Sequence, residues 1–321
     1  GHSLLAMRLV AQIRQRTGKS ISLRVLFECP TPELLAPHLH AIASSDQPVL
    51  TAGMGRIDQE TVALSYGQSR LWALDRVDGP SATYNMAVAI DLEGPLDITA
   101  LRQALVALID RHQALRTVII ESKDGLPIGR LLTPPNTDEV LDRLDLSEHF
   151  KNDPSQAAID LQASLEQFAA QPFALQHDLP VRAQLVTCGV QHHVLALVMH
   201  HHAGDGVSVN IFAQELGEAY RAYRSGQQLS LPALTVQYSD WAVWQQQSLQ
   251  TNLELKLERA RQRLGGMPEL LTLPLDYPRT AQRARRAGYL PVQIPAQTVR
   301  QLEALAIAQD TTLFTVVLAL Y

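Results

Sequence analysis

The chain has 321 residues, 46% of them hydrophobic and 18% charged, with a formal net charge of −5. That length suits about two domains, and the acidic balance excludes the basic field of a nucleic-acid binder. Its longest apolar runs, Val194–Met199 and Leu313–Leu320, fall far short of the roughly 20 residues that span a bilayer, and Cys29 and Cys188 lack metal-ligand spacing; a soluble, cytoplasmic protein without a membrane or nucleic-acid partner is expected.

In chain order, Leu4, Leu5, Leu9, Val10 and Ile13 form a helical stripe, with Ser3 at the N-cap position and Gly18 at the stop. A short apolar piece, Leu23–Phe27, precedes Thr31-Pro32, a helix-start pair leading to Ile42. Residues 1–43 are too few for a self-sufficient core. Residues 44–61 show no sustained periodicity and carry Ser, Gly, Pro and Asp, which predicts a linker. A larger domain is expected from residue 62. Its LSYGQSRLWALDRV segment reads as a turn into a helix, and Ala87–Leu92 alternates like a strand. Thr99–His112 is an amphipathic helix with Leu101, Leu105, Leu108 and Ile109 on one face. Thr117–Glu121 and Gly129–Leu132 form a predicted hairpin around Lys123-Asp124-Gly125. Further along, Ser155–Ala170 reads as a helix, Val181–Val186 and His193–Met199 as strands, and Val209–Tyr223 and Tyr238–Leu264 as helices. Leu290–Ile294 is a candidate strand and Thr298–Ala308 a helix. Strands interleaved with helices predict an α/β or α+β two-layer sandwich. Both ends read as cut: residue 1 already lies in a helix entry, and the final TTLFTVVLALY carries no stop signal, so a fragment of something longer is expected.

The densest polar feature is His200-His201-His202, which follows the apolar run Val194–Met199 and precedes the turn Asp205-Gly206. A strand's exit into a loop is where polar groups converge on clefts. In an extended segment His200 and His202 point to one side and His201 to the other. Four readings stand on these residues alone. The histidines are exposed polar residues at a strand end, or a metal site using His-x-x-x-Asp that lacks a third ligand. A Ser-His-Asp hydrolase lacks its G-x-S-x-G elbow. The fourth reading is an acyltransferase in which one histidine works on the incoming nucleophile.

His200-His201-x-x-x-Asp205-Gly206 resembles the HHxxxDG motif of condensation domains from nonribosomal peptide synthetases. Three further segments resemble motifs of that family, in its order. Ser65-Tyr66-Gly67-Gln68-Ser69-Arg70-Leu71-Trp72-x-Leu74 is similar to the opening SxAQxRLWxL. Arg111-His112-Gln113-Ala114-Leu115-Arg116-Thr117 is similar to RHxxLRTxF, with Ile119 in place of Phe. Tyr238-Ser239-Asp240-Trp241-Ala242-Val243-Trp244 is similar to YxDFAVW. Val207 and Ala174 depart from the tryptophan and aspartate common in the family. Gly1-His2-Ser3-Leu4 resembles the GGHSL site of a peptidyl carrier domain, without its first glycine. The resemblance implies a partial carrier domain at 1–43, a linker at 44–61, and a domain of the chloramphenicol-acetyltransferase type. Its first lobe would occupy 62–235 and a truncated second lobe 236–321, a fragment inactive by itself.

The same resemblance implies Ser3 as the attachment point of 4′-phosphopantetheine. It implies upstream and downstream carrier domains bearing thioester-bound amino acids as partners, with an adenylation domain nearby and no metal. The reaction implied is attack of a carrier-bound amine on a carrier-bound thioester, giving an amide. His201 is then the base or positioning residue, His200 and Gly206 are motif residues, and His202 is a non-catalytic neighbour. Asp205 is implied to orient the site through a structural ion pair with Arg111, Arg116 or an arginine further along. Gly206 would keep space for the pantetheine arm or permit an unusual backbone angle. Apart from the resemblance, Arg111, His112 and Arg116 read as charges complementing a helix dipole, and Trp72, Trp241 and Trp244 as packing residues. The alternatives are an epimerization domain of the same fold, a free-standing acyltransferase using a soluble coenzyme A thioester, and a degenerate domain that only docks carriers. Arg111 weighs against the first, Gly1–Leu4 against the second, and the intact His201 and Asp205 against the third.

Overall fold

The computed structural model describes residues 48–250 without a break, together with 21–41, 253–268, 274–277, 292–321 and positions 6, 9–10, 12–13 and 16–19. Ser3 lies outside the described residues. Among the described residues the elements run α1 (Leu23–Glu28), α2 (Pro32–Ala41), β1 (Thr61–Val62), α3 (Tyr66–Asp78), β2 (Asn85–Glu93) and α4 (Ile98–Arg111). Next come β3 (Thr117–Glu121), β4 (Pro127–Leu131), β5 (Asp142–Asp145), α5 (Ser147–Asn152), α6 (Pro154–Ala169), β6 (Val181–Gly189) and β7 (His192–His200). The remainder is helical: α7 (Gly206–Arg224), α8 (Tyr238–Gln250), α9 (Leu253–Leu264), α10 (Ala296–Ala308) and α11 (Leu313–Leu320). The chain divides into two compact units, Gly1–Met267 and Pro268–Tyr321. The second carries α10 and α11, with Ala306 and Val316 buried.

β7 reads as an unbroken apolar run because both its faces are covered. It is central in a four-stranded sheet of order β2-β7-β6-β5, antiparallel to β2 and β6, with β5 parallel to β6 at the edge. Alternation sends Leu195, Leu197 and Met199 toward α4 and α7, where they pack with Leu105, Leu108, Phe212 and Leu216. Ala196 and Val198 take the other face, against Phe168 of α6 and Phe173. α4 buries Leu101, Leu105, Leu108 and Ile109, as its periodicity predicts, and Asp97 caps it by accepting the Ala100 N–H. The predicted hairpin forms β3 and β4 of a second, antiparallel sheet of order β1-β4-β3. Its turn places Gly125 at a φ of 75°, a left-handed conformation that glycine adopts without strain.

One expectation is revised and others gain detail. The apolar piece Leu23–Phe27 lies in helix α1, capped by the Ser22 hydroxyl accepting the Val25 N–H. Of the helical stretch expected at Tyr238–Leu264, the described residues 238–250 and 253–264 are helical, as α8 and α9. Of the strand expected at Leu290–Ile294, residues 292–294 are described and are not strand; Pro291 and Pro295 bracket them and remove ladder donors. The linker expected at 44–61 is anchored from Pro48 onward. The Trp244 indole donates to the Pro48 carbonyl at 2.7 Å, and the Gly55 N–H to buried Asp240 at 2.9 Å. A Cβ at Gly55 would stand 2.1 Å from the Ser239 carbonyl carbon, so only glycine allows this approach. These contacts tie α8 to residues 48–65, within the Gly1–Met267 unit. β1, β5 and α5 are short elements without a readable period; in β5, charged Asp142, Arg143 and Asp145 mask the edge strand.

Candidate active site

The three histidines leave the sheet where β2 begins, since Asn85 pairs with His200. The His201 N–H then donates to the Tyr84 carbonyl at 2.9 Å, extending the β2–β7 pairing by one residue. The His201 ring is exposed, and its Nδ1 stands 2.9 Å from the Gly204 carbonyl. A carbonyl can only accept, so Nδ1 carries a proton, and Nε2 is the ring nitrogen left for an acceptor role.

His200 and His202 turn inward, as the strand alternation predicts, and are 4% and 3% exposed. His200 stands edge-on to Phe173 and Tyr84. Its Nδ1 lies 2.8 Å from Nδ1 of His202, while Nε2 of His202 donates to the Thr117 carbonyl at 2.9 Å. With that proton on Nε2, neutral His202 accepts at Nδ1, and His200 is the donor between the rings. Burial pushes His200 down to about 3, reinforced by the neighbouring histidines. Burial also pushes His202 down to about 4, against its bond to Thr117. The pair is a neutral, polar plug in the core.

The turn after the histidines is built by α7. Asp205 is its N-cap: the carboxylate accepts the Ser208 N–H at 2.9 Å and the Ser208 hydroxyl at 2.8 Å. The Asp205 N–H donates back to Ser208 Oγ at 3.1 Å, closing a capping box. These bonds, the one from the Ser208 N–H foremost, hold the Asp205 pKa below its usual value. Among the described residues no arginine pairs with Asp205. Arg111 instead bonds Glu215 at 3.2 Å and the Pro232 carbonyl at 2.6 Å, and Arg116 lies 3.8 Å from Asp110. Asp205 also makes no bond to the His201 ring, whose Nδ1 is taken by Gly204. Gly206 has open space around it and no positive φ, so the unusual backbone angle is absent while the open space is present.

Further residues complete this site; Gln68 lies in the segment similar to SxAQxRLWxL, whereas Gly204 and Glu215 carry no signal of their own in the sequence. Gly204 supplies the carbonyl for His201, and a Cβ there would meet the Met199 sulfur at 2.6 Å and Ser208 Cβ at 2.9 Å. Gln68 donates from Nε2 to the His202 carbonyl at 3.1 Å while capping α3 with Ser65. Glu215 on α7 receives both Arg111 and His112, the latter at 2.6 Å. Arg111 and His112 thus tie α4 to α7 rather than merely complementing a dipole. A cavity of about 180 Å³ opens beside the turn, lined by His112, Met199, Ala203, Ser208 and Tyr238 among others. His192, at the far end of β7, faces Asp91 at 3.4 Å. Trp241 stacks on Tyr238 and Trp72 lies under Arg76, both packing roles. Among the described residues no single helix is long and apolar enough to cross a membrane.

The chain matches the family model of the condensation domain over residues 58–321 and that of the phosphopantetheine attachment site over residues 1–39. It is 34% identical over 323 residues to a linear gramicidin synthase of Brevibacillus parabrevis, covering 100% of this chain and 6% of that protein. It is also 34% identical over 323 residues to a dimodular nonribosomal peptide synthase of Bacillus subtilis (strain 168), covering 98% of this chain and 13% of that protein. The chain therefore spans a small part of the length of these relatives. Among solved structures, the X-domain from teicoplanin biosynthesis matches with a TM-score of 0.69 at 27% identity, over 83% of this chain and 56% of that one. The first condensation domain of the calcium-dependent antibiotic synthetase, in complex with substrate analogue 2a, matches in fold with a TM-score of 0.66 at 23% identity, over 81% and 59%. The mixed α/β architecture is thus the chloramphenicol-acetyltransferase-like fold of such domains. Matched from residue 58 to residue 321 behind a phosphopantetheine attachment segment, the chain belongs to the condensation-domain family of nonribosomal peptide synthetases.

Proposed function

We propose that this chain forms an amide bond between a carrier-bound aminoacyl or peptidyl thioester and a carrier-bound amino acid, with His201 as the base. The observation that carries the reading is the Nδ1–H bond from exposed His201 to the Gly204 carbonyl, which leaves Nε2 free to accept a proton. Ser3 would carry the 4′-phosphopantetheine, which supplies the thioester through which an acyl group is presented. Two features fit such an arm: the open space at Gly206 beside the histidines, and a small apolar core of Ala6, Ile21, Leu26 and Leu35 within the matched attachment segment. The partners are the carriers that bring the two thioesters, with an adenylation domain nearby. The lobe boundary after residue 235 is part of the same proposal.

In the proposed step the acceptor amine attacks the thioester carbonyl carbon. The C–N bond forms, the C–S bond breaks, and the thiol departs. The amine must shed one proton, which passes to Nε2 of His201 and then to the leaving sulfur. General-base help of this kind is worth roughly 10²–10⁴-fold, and holding the amine in line contributes comparably.

The test uses the full-length polypeptide, with donor and acceptor carriers loaded and followed by intact mass. His201→Ala is expected to slow transfer of donor mass about 10²–10⁴-fold. Equal transfer by both proteins would remove His201 from the chemistry. A second reading is a domain that docks carriers without catalysis; one similar structure, the X-domain from teicoplanin biosynthesis, is a complex with OxyB, so such a domain can serve as a binding surface. Absence of transfer by either protein, across several donors and acceptors, would favour it.

A further inference from the structure

Every neighbour of His201 along the chain is held more tightly than His201 itself. His200 sits in the core against Phe173 and Tyr84, and its N–H donates to the Pro180 carbonyl at 2.9 Å. His202 is held at three points. Its ring receives Nδ1–H of His200 on one side and donates to the Thr117 carbonyl of β3 on the other. Its carbonyl accepts from Gln68 of α3. A side chain that only filled space would not need both ring nitrogens, and an apolar residue at this site would leave His200 Nδ1 and the Thr117 carbonyl without these partners. Such unpaired buried groups are costly. The ring therefore joins β7 to β3, and the backbone carbonyl of the same residue takes the bond from α3, at the residue that follows the proposed base. Only two residues, His202 and Ala203, lie between His201 and its Gly204 anchor, so any shift of residue 202 alters that bond.

We infer that His202 is a positioning residue for His201: its ring and carbonyl hold the strand exit between β3 and α3, so that the His201 ring keeps Nδ1 on Gly204 and presents Nε2 outward. The inference rests on the proposed reaction for its kinetic consequence, but not for its structural one. Catalysis depends on such placement steeply, since a misplacement of about 1 Å can cost on the order of 10²-fold in rate.

Two readouts test it. The first is imidazole ¹⁵N NMR of this chain labelled at histidine. Wild type is expected to show His201 in a single neutral form protonated at Nδ1. His202→Leu, with an unchanged amide spectrum away from the turn as proof of folding, is expected to show a mixture of both tautomers. His202→Asn keeps an acceptor near the Nδ1 position, and His202→Gln keeps a donor near the Nε2 position; each is expected to restore part of the wild-type signal. The second readout is transfer in the full-length polypeptide, where His202→Leu is expected to lower kcat about tenfold or more while leaving KM within about twofold. A folded His202→Leu protein with wild-type His201 tautomer and wild-type kcat overturns the inference. If His202→Leu does not fold, wild-type behaviour of both His202→Asn and His202→Gln overturns it. Failure of the wild type to transfer at all would defeat the proposed reaction, and the NMR readout would still decide the role of His202.

Discussion

A methyl group at residue 204 has no room. It would press on Ser208 Cβ at 2.9 Å, which belongs to the first turn of α7, and on the Met199 sulfur at 2.6 Å. The sulfur ends a flexible side chain and can yield, whereas the serine Cβ moves only with the helix. Gly204→Ala must therefore push the turn off α7, and with it the carbonyl that holds His201. Overpacking of this kind costs about 1–3 kcal/mol, and a urea melt is expected to show a loss in that range. Gly206→Ala meets open space with no positive φ, so its stability is expected to stay within about 0.5 kcal/mol of wild type. A Gly204→Ala protein that melts like wild type would refute the close contact. The contrast reverses what the motif emphasises, because the glycine inside HHxxxDG is sterically free and the one two residues earlier is not.

Helix α7 is held at both halves of its length, and each contact explains a residue that the motifs single out for another reason. At its start Asp205 and Ser208 cap each other. Removing an N-cap side chain costs about 0.5–2 kcal/mol, and Asn or Ser serve almost as well as Asp. Asp205→Ala is thus expected to lose about 1 kcal/mol in thermal melts, with Asp205→Asn close to wild type. A buried ion pair with arginine would instead cost about 3–5 kcal/mol on losing one partner, and Asn would fare no better than Ala; that pattern would overturn the capping account. Further along, Glu215 takes Arg111 and His112 from the end of α4. The difference in legibility follows from the kind of force. α4 and β2 could be read from apolar spacing, because burial of one face imposes a period on the residues, and β7 from its unbroken apolar run, because both its faces are covered. The alternation that turns His200 and His202 inward and His201 outward has the same origin. Contacts such as Arg111 with Glu215, Gln68 with His202, or Gly55 with Asp240 join positions more than a hundred residues apart and leave no period. The Gly204 carbonyl is a backbone atom, which no residue pattern reveals.

For the molecule as a whole, the His200–His202 pair makes folding sensitive to acid. It lies where β7, β3 and α3 meet, so charging it disturbs both sheets together. Burial lowers His200 to about 3 and His202 to about 4, whereas an unfolded histidine titrates near 6.5. Between those values the unfolded chain binds more protons than the folded one, so stability rises with pH across the window and is lost as pH falls. The pair's contribution is complete above about pH 6.5, and each histidine can add a slope of up to ~1.4 kcal/mol per pH unit below it. His193, lowered by burial, works in the same direction. Asp58, Asp145 and Asp205, all lowered chiefly by hydrogen bonds, lose their contribution only as pH falls below the ordinary carboxylate range. Asp75, raised by burial, opposes the trend near that same range. The interval from pH 6.5 to 4.5 therefore belongs to the histidines. Urea midpoints at constant ionic strength are expected to fall steadily through it, and His202→Gln, which removes one of the two strongest titrating groups, is expected to reduce the slope by roughly half. A flat profile down to pH 4.5 would mean that the two rings accept protons in the folded state as readily as in the unfolded one. The sealed, neutral pair beneath His201 would then be wrong, and with it the anchor that holds the exposed histidine in place.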